Sequence, residues 1–147
     1  EYYLDHELEK NVVEKRVLTF GDKLLLFELP FISEPAILLN VVFQMQTQGY
    51  KPVLAHPERY TFWYNDPSKY DRLKERGVLF QLNMVALSGA YGPQAKQVAE
   101  RLIDQGAYEL IGSDCHSMGH VEAIKHTLTR PYLHKLLASG KLLNAGL

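Results

Sequence analysis

Five short apolar segments recur along the chain, and the stretches between them have the pattern of amphipathic helices. Their spacing of roughly 25–30 residues is the length of one strand followed by one helix. Alternating strands and helices are typical of an α/β fold with a parallel sheet. We therefore predict strands at Tyr2–Leu4, Leu24–Leu29, Pro52–Ala55, Val78–Leu82 and Leu110–Gly112.

Capping residues, prolines and glycines give the boundaries of the predicted helices. Ser33 is a candidate N-cap for a helix over Glu34–Gln48. Asp66 and Pro67 begin another helix, and Gly77 ends it, because proline favours the first turn and glycine the position after the last. The remaining predicted helices are Glu7–Lys15, Gln94–Gln105, His120–Thr129 and Pro131–Ser139.

Composition predicts a single domain over residues 1–147, in the cytoplasm. The 16 basic and 17 acidic residues nearly cancel, which excludes the basic surface of a nucleic-acid-binding protein. No apolar run reaches the roughly 18 residues of a membrane span, so no membrane insertion is expected.

The single cysteine, Cys115, excludes an internal disulfide and fits a reducing compartment. Because the chain starts at Glu1 without a methionine, we expect it to begin inside a longer protein.

Polar residues able to do chemistry follow four of the predicted strands. The carboxyl ends of parallel strands meet at one edge of a sheet, so we expect these side chains to surround one opening. Carboxylates and imidazoles in that arrangement are what a hydrolytic centre of two or three metals needs, with a metal-bound hydroxide attacking phosphorus. The residues are Glu28, His56, Asn83, Asp114 and His116.

Each of these residues also has a structural interpretation: a loop carboxylate, a hydrogen-bonded buried histidine, or a residue on a helix if the apolar run is helical. Arg59, three residues after His56, is either a surface arginine or a guanidinium that clamps phosphate oxygens. Pro57 favours the second interpretation, because it stiffens the strand exit and biases His56 to an extended backbone. His120 is a candidate substrate contact, and Cys115 is expected to pack into the wall.

With these residues in view, the chain resembles the polymerase-and-histidinol-phosphatase (PHP) superfamily. More narrowly, it resembles the manganese-dependent protein-tyrosine phosphatases of bacterial capsule and exopolysaccharide operons, the CpsB/CapC type. The chain looks like about the C-terminal two-thirds of that domain. The matching segments are Glu1–Asp5, Leu26–Pro30, Ala55–Tyr60, Phe80–Asn83 and Gly112–His116.

The resemblance implies a distorted parallel barrel of the (β/α)7 type, here incomplete and without its N-terminal strands. It also implies that Glu28 and His56 bind one metal, while Asp114 and His116 bind others. Glu1 would be a carboxylate that bridges two of them. The implied cofactor is Mn²⁺, two or three ions in the complete domain, with Fe, Zn or Mg as alternatives.

The implied reaction is hydrolysis of phosphotyrosine in a protein, with a bacterial tyrosine autokinase as the partner. Arg59 would bind the phosphoryl group and act with His56 in catalysis, and Asn83 and His120 would contact substrate. Two alternatives stay open: a small-molecule phosphatase of the histidinol-phosphate type, and a non-catalytic chain with a metal- or phosphate-binding half-site. The second alternative arises because the family's N-terminal His-x-His has no counterpart here. The sequence leaves a homo-oligomer open.

Overall fold

The structure, a computed structural model, describes Glu1–Leu147 and contains one parallel sheet. The order of strands in the sheet follows their order in the chain, and every neighbouring pair is parallel. The predicted α/β class is confirmed. Closure into a barrel stays a prediction, because these strands leave two edges. The strands are β1 (Tyr2–Tyr3), β2 (Leu24–Glu28), β3 (Lys51–Ala55), β4 (Leu79–Asn83) and β5 (Leu110–Gly112).

Six α-helices accompany the sheet, and apart from the second their boundaries agree with the prediction to within two residues. None of them has both the length and the apolar character needed to cross a membrane. The helices are α1 (His6–Val13), α2 (Leu38–Thr47), α3 (Ser68–Glu75), α4 (Pro93–Asp104), α5 (Met118–Thr127) and α6 (Pro131–Ala138). Short 3₁₀ segments, which were not predicted, lie at Pro57–Arg59, Thr61–Trp63, Met84–Ser88 and Asn144–Gly146.

The predicted start of the second helix is wrong. Helix α2 begins at Leu38, and Ser33 does not cap it. Pro35 disfavours a helical backbone at the residue before it, so the segment that enters α2 forms bends and turns instead. Glu34 therefore lies outside the helix, where its Oε2 accepts a hydrogen bond of 2.9 Å from Trp63 Nε1.

Glycine ends helices where the next strand must begin at once. Gly77 has a φ of 75°, a left-handed conformation that costs glycine little. Its N–H donates to Lys74 O at 2.9 Å, and the N–H of Val78 donates to Leu73 O at 3.0 Å. These two bonds satisfy carbonyls that the end of α3 would leave free, and the chain enters β4 two residues later.

The two faces of the sheet bury different clusters. One face packs against the helices in a core of 28 buried residues, which includes Leu25, Phe27, Leu54, Phe80 and Leu82. The other face carries a small cluster of Leu24, Val53 and Leu110. Because side chains alternate along a strand, Glu28 shares a face with Leu24, so the carboxyl end of β2 places this carboxylate on the side away from the core.

Phe80 tests how far the core depends on the helix-facing side of β4. Its side chain is fully buried and meets Tyr70 of α3 edge to face. We expect Phe80→Ala to lower the free energy of unfolding by about 3–5 kcal/mol, because the cavity has no side chain to fill it. Urea unfolding measures the loss. Phe43→Ala is the matched control, since Phe43 is 61% exposed and should change stability by less than about 0.5 kcal/mol. Equal losses would contradict this description of the core.

Candidate metal and phosphate site

Three side chains with metal-ligating atoms converge beyond the carboxyl ends of β2 and β3. His56 Nε2 lies 2.8 Å from Glu1 Oε1 and 3.4 Å from Glu28 Oε2. One ligand atom from each residue lies within 4.8 Å of the other two. Glu28 ends β2 and His56 follows β3, whereas Glu1 precedes β1. The structure therefore brings together three residues that lie far apart in the sequence.

The two carboxylates of this triad face a single imidazole, and no other basic side chain pairs with them. A hydrogen bond with His56 lowers the pKa of Glu1. Burial, followed by the negative charge of Glu1, raises the pKa of Glu28. The two shifts have different leading causes, but both carboxylates approach the same imidazole and each other. A divalent cation between them would remove the repulsion, and two carboxylates with one imidazole form a donor set suited to first-row divalent metals.

The backbone of His56 differs from the prediction. Its φ of 37° and ψ of 55° are left-handed, not extended, although proline follows. Two hydrogen bonds explain the difference. His56 N–H donates to Gln81 O at 2.8 Å, which continues the sheet, while its carbonyl accepts from Arg59 N–H at 2.9 Å, which closes a 3₁₀ turn. The imidazole thereby faces the two carboxylates at some cost in backbone strain.

The other nitrogen of His56, Nδ1, is buried and has no hydrogen-bond partner. Nε2 faces the carboxylates, so Nε2 is the atom available to a cation. The His56 ring also stacks on Phe31, with ring centroids 5.7 Å apart and planes inclined by 18°. The imidazole is therefore held by packing on one side and by the carboxylates on the other.

Arg59 occupies the opposite side of the same cleft. Its Nη1 donates to Asp114 Oδ2 at 2.8 Å. Its guanidinium carbon lies 4.8 Å from the ring centroid of Phe31 and 4.4 Å from that of Tyr91. Stacking on aromatic faces leaves the in-plane N–H groups free for acceptors. The arginine is thus held by three side chains and is not a free surface charge.

Asn83 supports Asp114 from beneath. It is buried at the end of β4, and its Nδ2 donates to Asp114 Oδ2 at 2.9 Å and to Tyr91 Oη at 3.1 Å. Its Oδ1 accepts from Val85 N–H at 3.0 Å and caps the 3₁₀ segment that follows. Asp114 itself has a left-handed φ of 45°. Asn83 is therefore a support within the site and does not line the opening.

His116 and His120 lie at the solvent side of Asp114. His116 exposes 75% of its side chain, and its Nδ1 lies 3.2 Å from Asp114 Oδ1. The N–H of His116 donates to His120 Nδ1 at 3.2 Å. Neither joins the triad around His56. Cys115 is exposed, so its predicted place in the wall is wrong. Strand β5 ends at Gly112 and the chain turns at Asp114, and the alternation of a strand no longer applies there.

A cleft of about 480 Å³ unites these residues. It is lined by every predicted site residue except Asn83, together with two aromatic residues; the full lining is Glu1, Glu28, Phe31, His56, Arg59, Tyr91, Asp114, His116 and His120. The roles of these residues as ligands or catalysts stay predictions. For Glu28, His56 and Asp114, the placement around one opening follows from the parallel strands.

The sequence interpretation overlooked Glu58, which lies between His56 and Arg59. Glu58 is fully buried. Its Oε1 accepts from Asn83 N–H at 2.9 Å, and its Oε2 accepts from Tyr108 Oη at 2.9 Å. Burial raises its pKa to about 7. An acidic residue inside a motif of polar residues was the available signal, but only the fold shows what it binds.

Substitution of Glu58 tests this buried support. We expect Glu58→Leu to lower the free energy of unfolding by roughly 2–5 kcal/mol, because two buried donors lose their acceptor. Glu58→Gln keeps a carbonyl oxygen and should cost about 1 kcal/mol. Urea unfolding separates the variants, and Glu75→Leu at an exposed position of α3 is the control. A Glu58→Leu protein as stable as the wild type would rule out the supporting role.

Comparisons with known proteins identify the family of the chain. Residues 1–135 match the CpsB/CapC family, described as capsular polysaccharide synthesis. The tyrosine-protein phosphatase YwqE of Bacillus subtilis is 32% identical over 113 residues, which cover 76% of this chain and 44% of YwqE. CapC of Staphylococcus aureus, also named for that activity, is 29% identical over 121 residues, covering 82% of this chain and 44% of CapC.

The fold has a counterpart among solved structures. It matches a structure from work on YwqE of Bacillus subtilis and CpsB of Streptococcus pneumoniae, described as metal-dependent tyrosine phosphatases. The TM-score is 0.74 at 29% identity, over 87% of this chain and 54% of the other. The chain spans about half the length of these relatives. Since the family match covers nearly the whole chain, the protein belongs to the CpsB/CapC family of capsular polysaccharide synthesis.

Proposed function

We propose that this site hydrolyses phosphotyrosine in proteins, with a divalent cation as cofactor. The observation that carries the proposal is that three side chains with metal-ligating atoms and an aromatic-packed guanidinium line one cleft. A phosphate monoester has anionic oxygens, and catalysis of its hydrolysis depends on positive charge positioned around them. The choice of phosphotyrosine rests on the names of the relatives YwqE and CapC.

Glu1, Glu28 and His56 would hold the cation, through the atoms that already face one another. Mn²⁺ fits this mixed oxygen and nitrogen donor set, as do Fe²⁺ and Zn²⁺. A bound cation of this kind supplies Lewis acidity and lowers the pKa of water. Asp114 and His116 also line the cleft, and we assign them to additional ions.

Arg59 would bind the phosphoryl oxygens through its in-plane N–H groups. Asp114 fixes one end of the guanidinium, and Asn83 in turn fixes Asp114. The relay keeps the guanidinium in one orientation without a ligand, so little reorganisation is needed when charge develops on phosphorus. His120 lines the same cleft and would contact substrate from the solvent side.

The same interpretation extends to the setting of the protein. We assign the chain to regulation of capsule or exopolysaccharide synthesis, with a bacterial tyrosine autokinase as the phosphorylated partner. Five parallel strands in sequential order are the arrangement of a barrel segment, which supports the distorted barrel of the PHP class. Cytoplasmic localisation and a homo-oligomer stay predictions.

Chelation and cysteine replacement together test the chemistry. We expect chelator treatment of the full-length protein to abolish hydrolysis of a phosphotyrosine peptide, and Mn²⁺ to restore it. The side chains of the site cannot supply the Lewis acidity that the bound cation provides. Cys115→Ser should retain activity, since its exposed Sγ is not needed as a nucleophile. Phosphate release measures both. Activity that survives chelation, or that Cys115→Ser abolishes, would contradict the proposal.

The substrate class needs its own comparison. Histidinol phosphate should be turned over far more slowly than the phosphotyrosine peptide under the same conditions. The reverse order would favour the small-molecule alternative.

Arg59 gives the sharpest test of phosphate recognition. We expect Arg59→Ala to lower kcat/KM by about 10²–10³-fold, the usual cost of removing one positioned donor to developing charge. Arg59→Lys should recover only part of it, because an ammonium lacks the planar pair of donors. Arg76→Ala, at an exposed position after α3, is the control and should leave kcat/KM unchanged. A small effect of Arg59→Ala would remove Arg59 from the proposed site.

A further inference from the structure

Two neighbouring apolar side chains, Phe31 and Ile32, are exposed near the cleft and are not part of the hydrophobic core. Phe31 is 43% exposed and Ile32 is 92% exposed. They lie three and four residues after the end of β2, within a segment of bends, where exposed apolar surface costs free energy in water. Phe31 also lines the cleft that holds Arg59 and His56. Exposed apolar surface beside a charged site is typical of a ligand contact.

Phe31 lies between the two chemical halves of the site. Its ring stacks on His56 of the cation triad, and the Arg59 guanidinium carbon lies 4.8 Å from its centroid. It also packs on Tyr60, with centroids 5.8 Å apart. These contacts hold the ring in place while part of its surface remains exposed. An aromatic ring fixed in this way loses little conformational freedom when it binds a ligand.

We propose that Phe31 determines specificity for aryl phosphate monoesters by receiving the aromatic ring of the leaving group. The inference rests on the proposed phosphatase function and names the residue that selects its substrate. In an aryl phosphate a single oxygen joins the phosphorus to the ring, so a phosphoryl group at Arg59 brings the ring close to Phe31. Aromatic pairs prefer offset or edge-to-face contact, which a half-exposed ring can offer.

A different role for Phe31 would have a different signature. If Phe31 only holds Arg59, its loss would weaken every phosphoryl ligand equally. If it receives the aryl group, its loss would weaken aryl ligands and spare alkyl ones. Tyr91 also packs on Arg59, so we expect the guanidinium to keep its position without Phe31 and the second signature to be observed.

Two non-hydrolysable ligands distinguish these roles. Phenylphosphonate and methylphosphonate carry the same headgroup, and calorimetry measures their binding to the Mn²⁺-loaded full-length protein. We expect the wild type to prefer phenylphosphonate. Phe31→Leu should weaken phenylphosphonate about two- to tenfold, the range of an aromatic pair, and leave methylphosphonate within about twofold. Phe31→Tyr should retain the preference. For hydrolysis of phenyl phosphate, Phe31→Leu should raise KM by a similar factor with little change in kcat, because the contact is the same before and during reaction.

Phe43→Leu is the matched control, since Phe43 is an exposed phenylalanine on α2 and should change neither affinity. The inference would be overturned if Phe31→Leu weakened the binding of both phosphonates equally, or of neither. It would also be overturned if the wild type bound the two phosphonates equally, or bound neither. Failure of the wild type to hydrolyse a phosphotyrosine peptide is a separate outcome that contradicts the proposed function. The phosphonate comparison still decides the role of Phe31 in that case.

Discussion

The buried carboxylate of Glu58 is the constraint on which the geometry of the cleft depends. It lies in the turn after β3 and accepts one hydrogen bond from the end of β4 and another from Tyr108, just before β5. Three neighbouring strands are thereby joined behind the site. Because Glu58 stands between His56 and Arg59 in the chain, its fixed position directs the first to the triad and the second to Asp114.

Charge divides the cleft into two halves. Glu1 and Glu28 face His56 on one side, while Arg59 is committed to Asp114 on the other. The guanidinium is engaged there and does not pair with the carboxylates of the triad, so those carboxylates repel each other. In the proposed function, a cation on one side and the arginine on the other act on the same phosphoryl group.

Much of this arrangement could be predicted from the sequence, because the rule for parallel strands is local. Glu28, His56, Asn83 and Asp114 all follow apolar runs, and strands that run in one direction carry such residues to one edge. Glu1 precedes its strand, and only the family resemblance indicated it.

The remaining features depend on contacts across the fold. The extended backbone predicted for His56 is a local preference, and hydrogen bonds to Gln81 and Arg59 overrule it. Phe31 and Glu58 contact residues in distant segments of the chain, and no spacing in the sequence predicts those contacts.

The sequential order of the strands also has a consequence for how the chain acquires its structure. Every strand pairs with the next one in the chain, so each pairing closes a loop of modest length. Pairing can therefore progress from β1 toward β5 as synthesis continues. The three residues of the triad all come from the chain before β4, whereas the contact between Arg59 and Asp114 needs the residues that follow β5. Because the backbone of His56 bonds to β4 and Glu58 bonds to Tyr108 just before β5, neither side of the cleft takes its final form until nearly the whole sheet has formed.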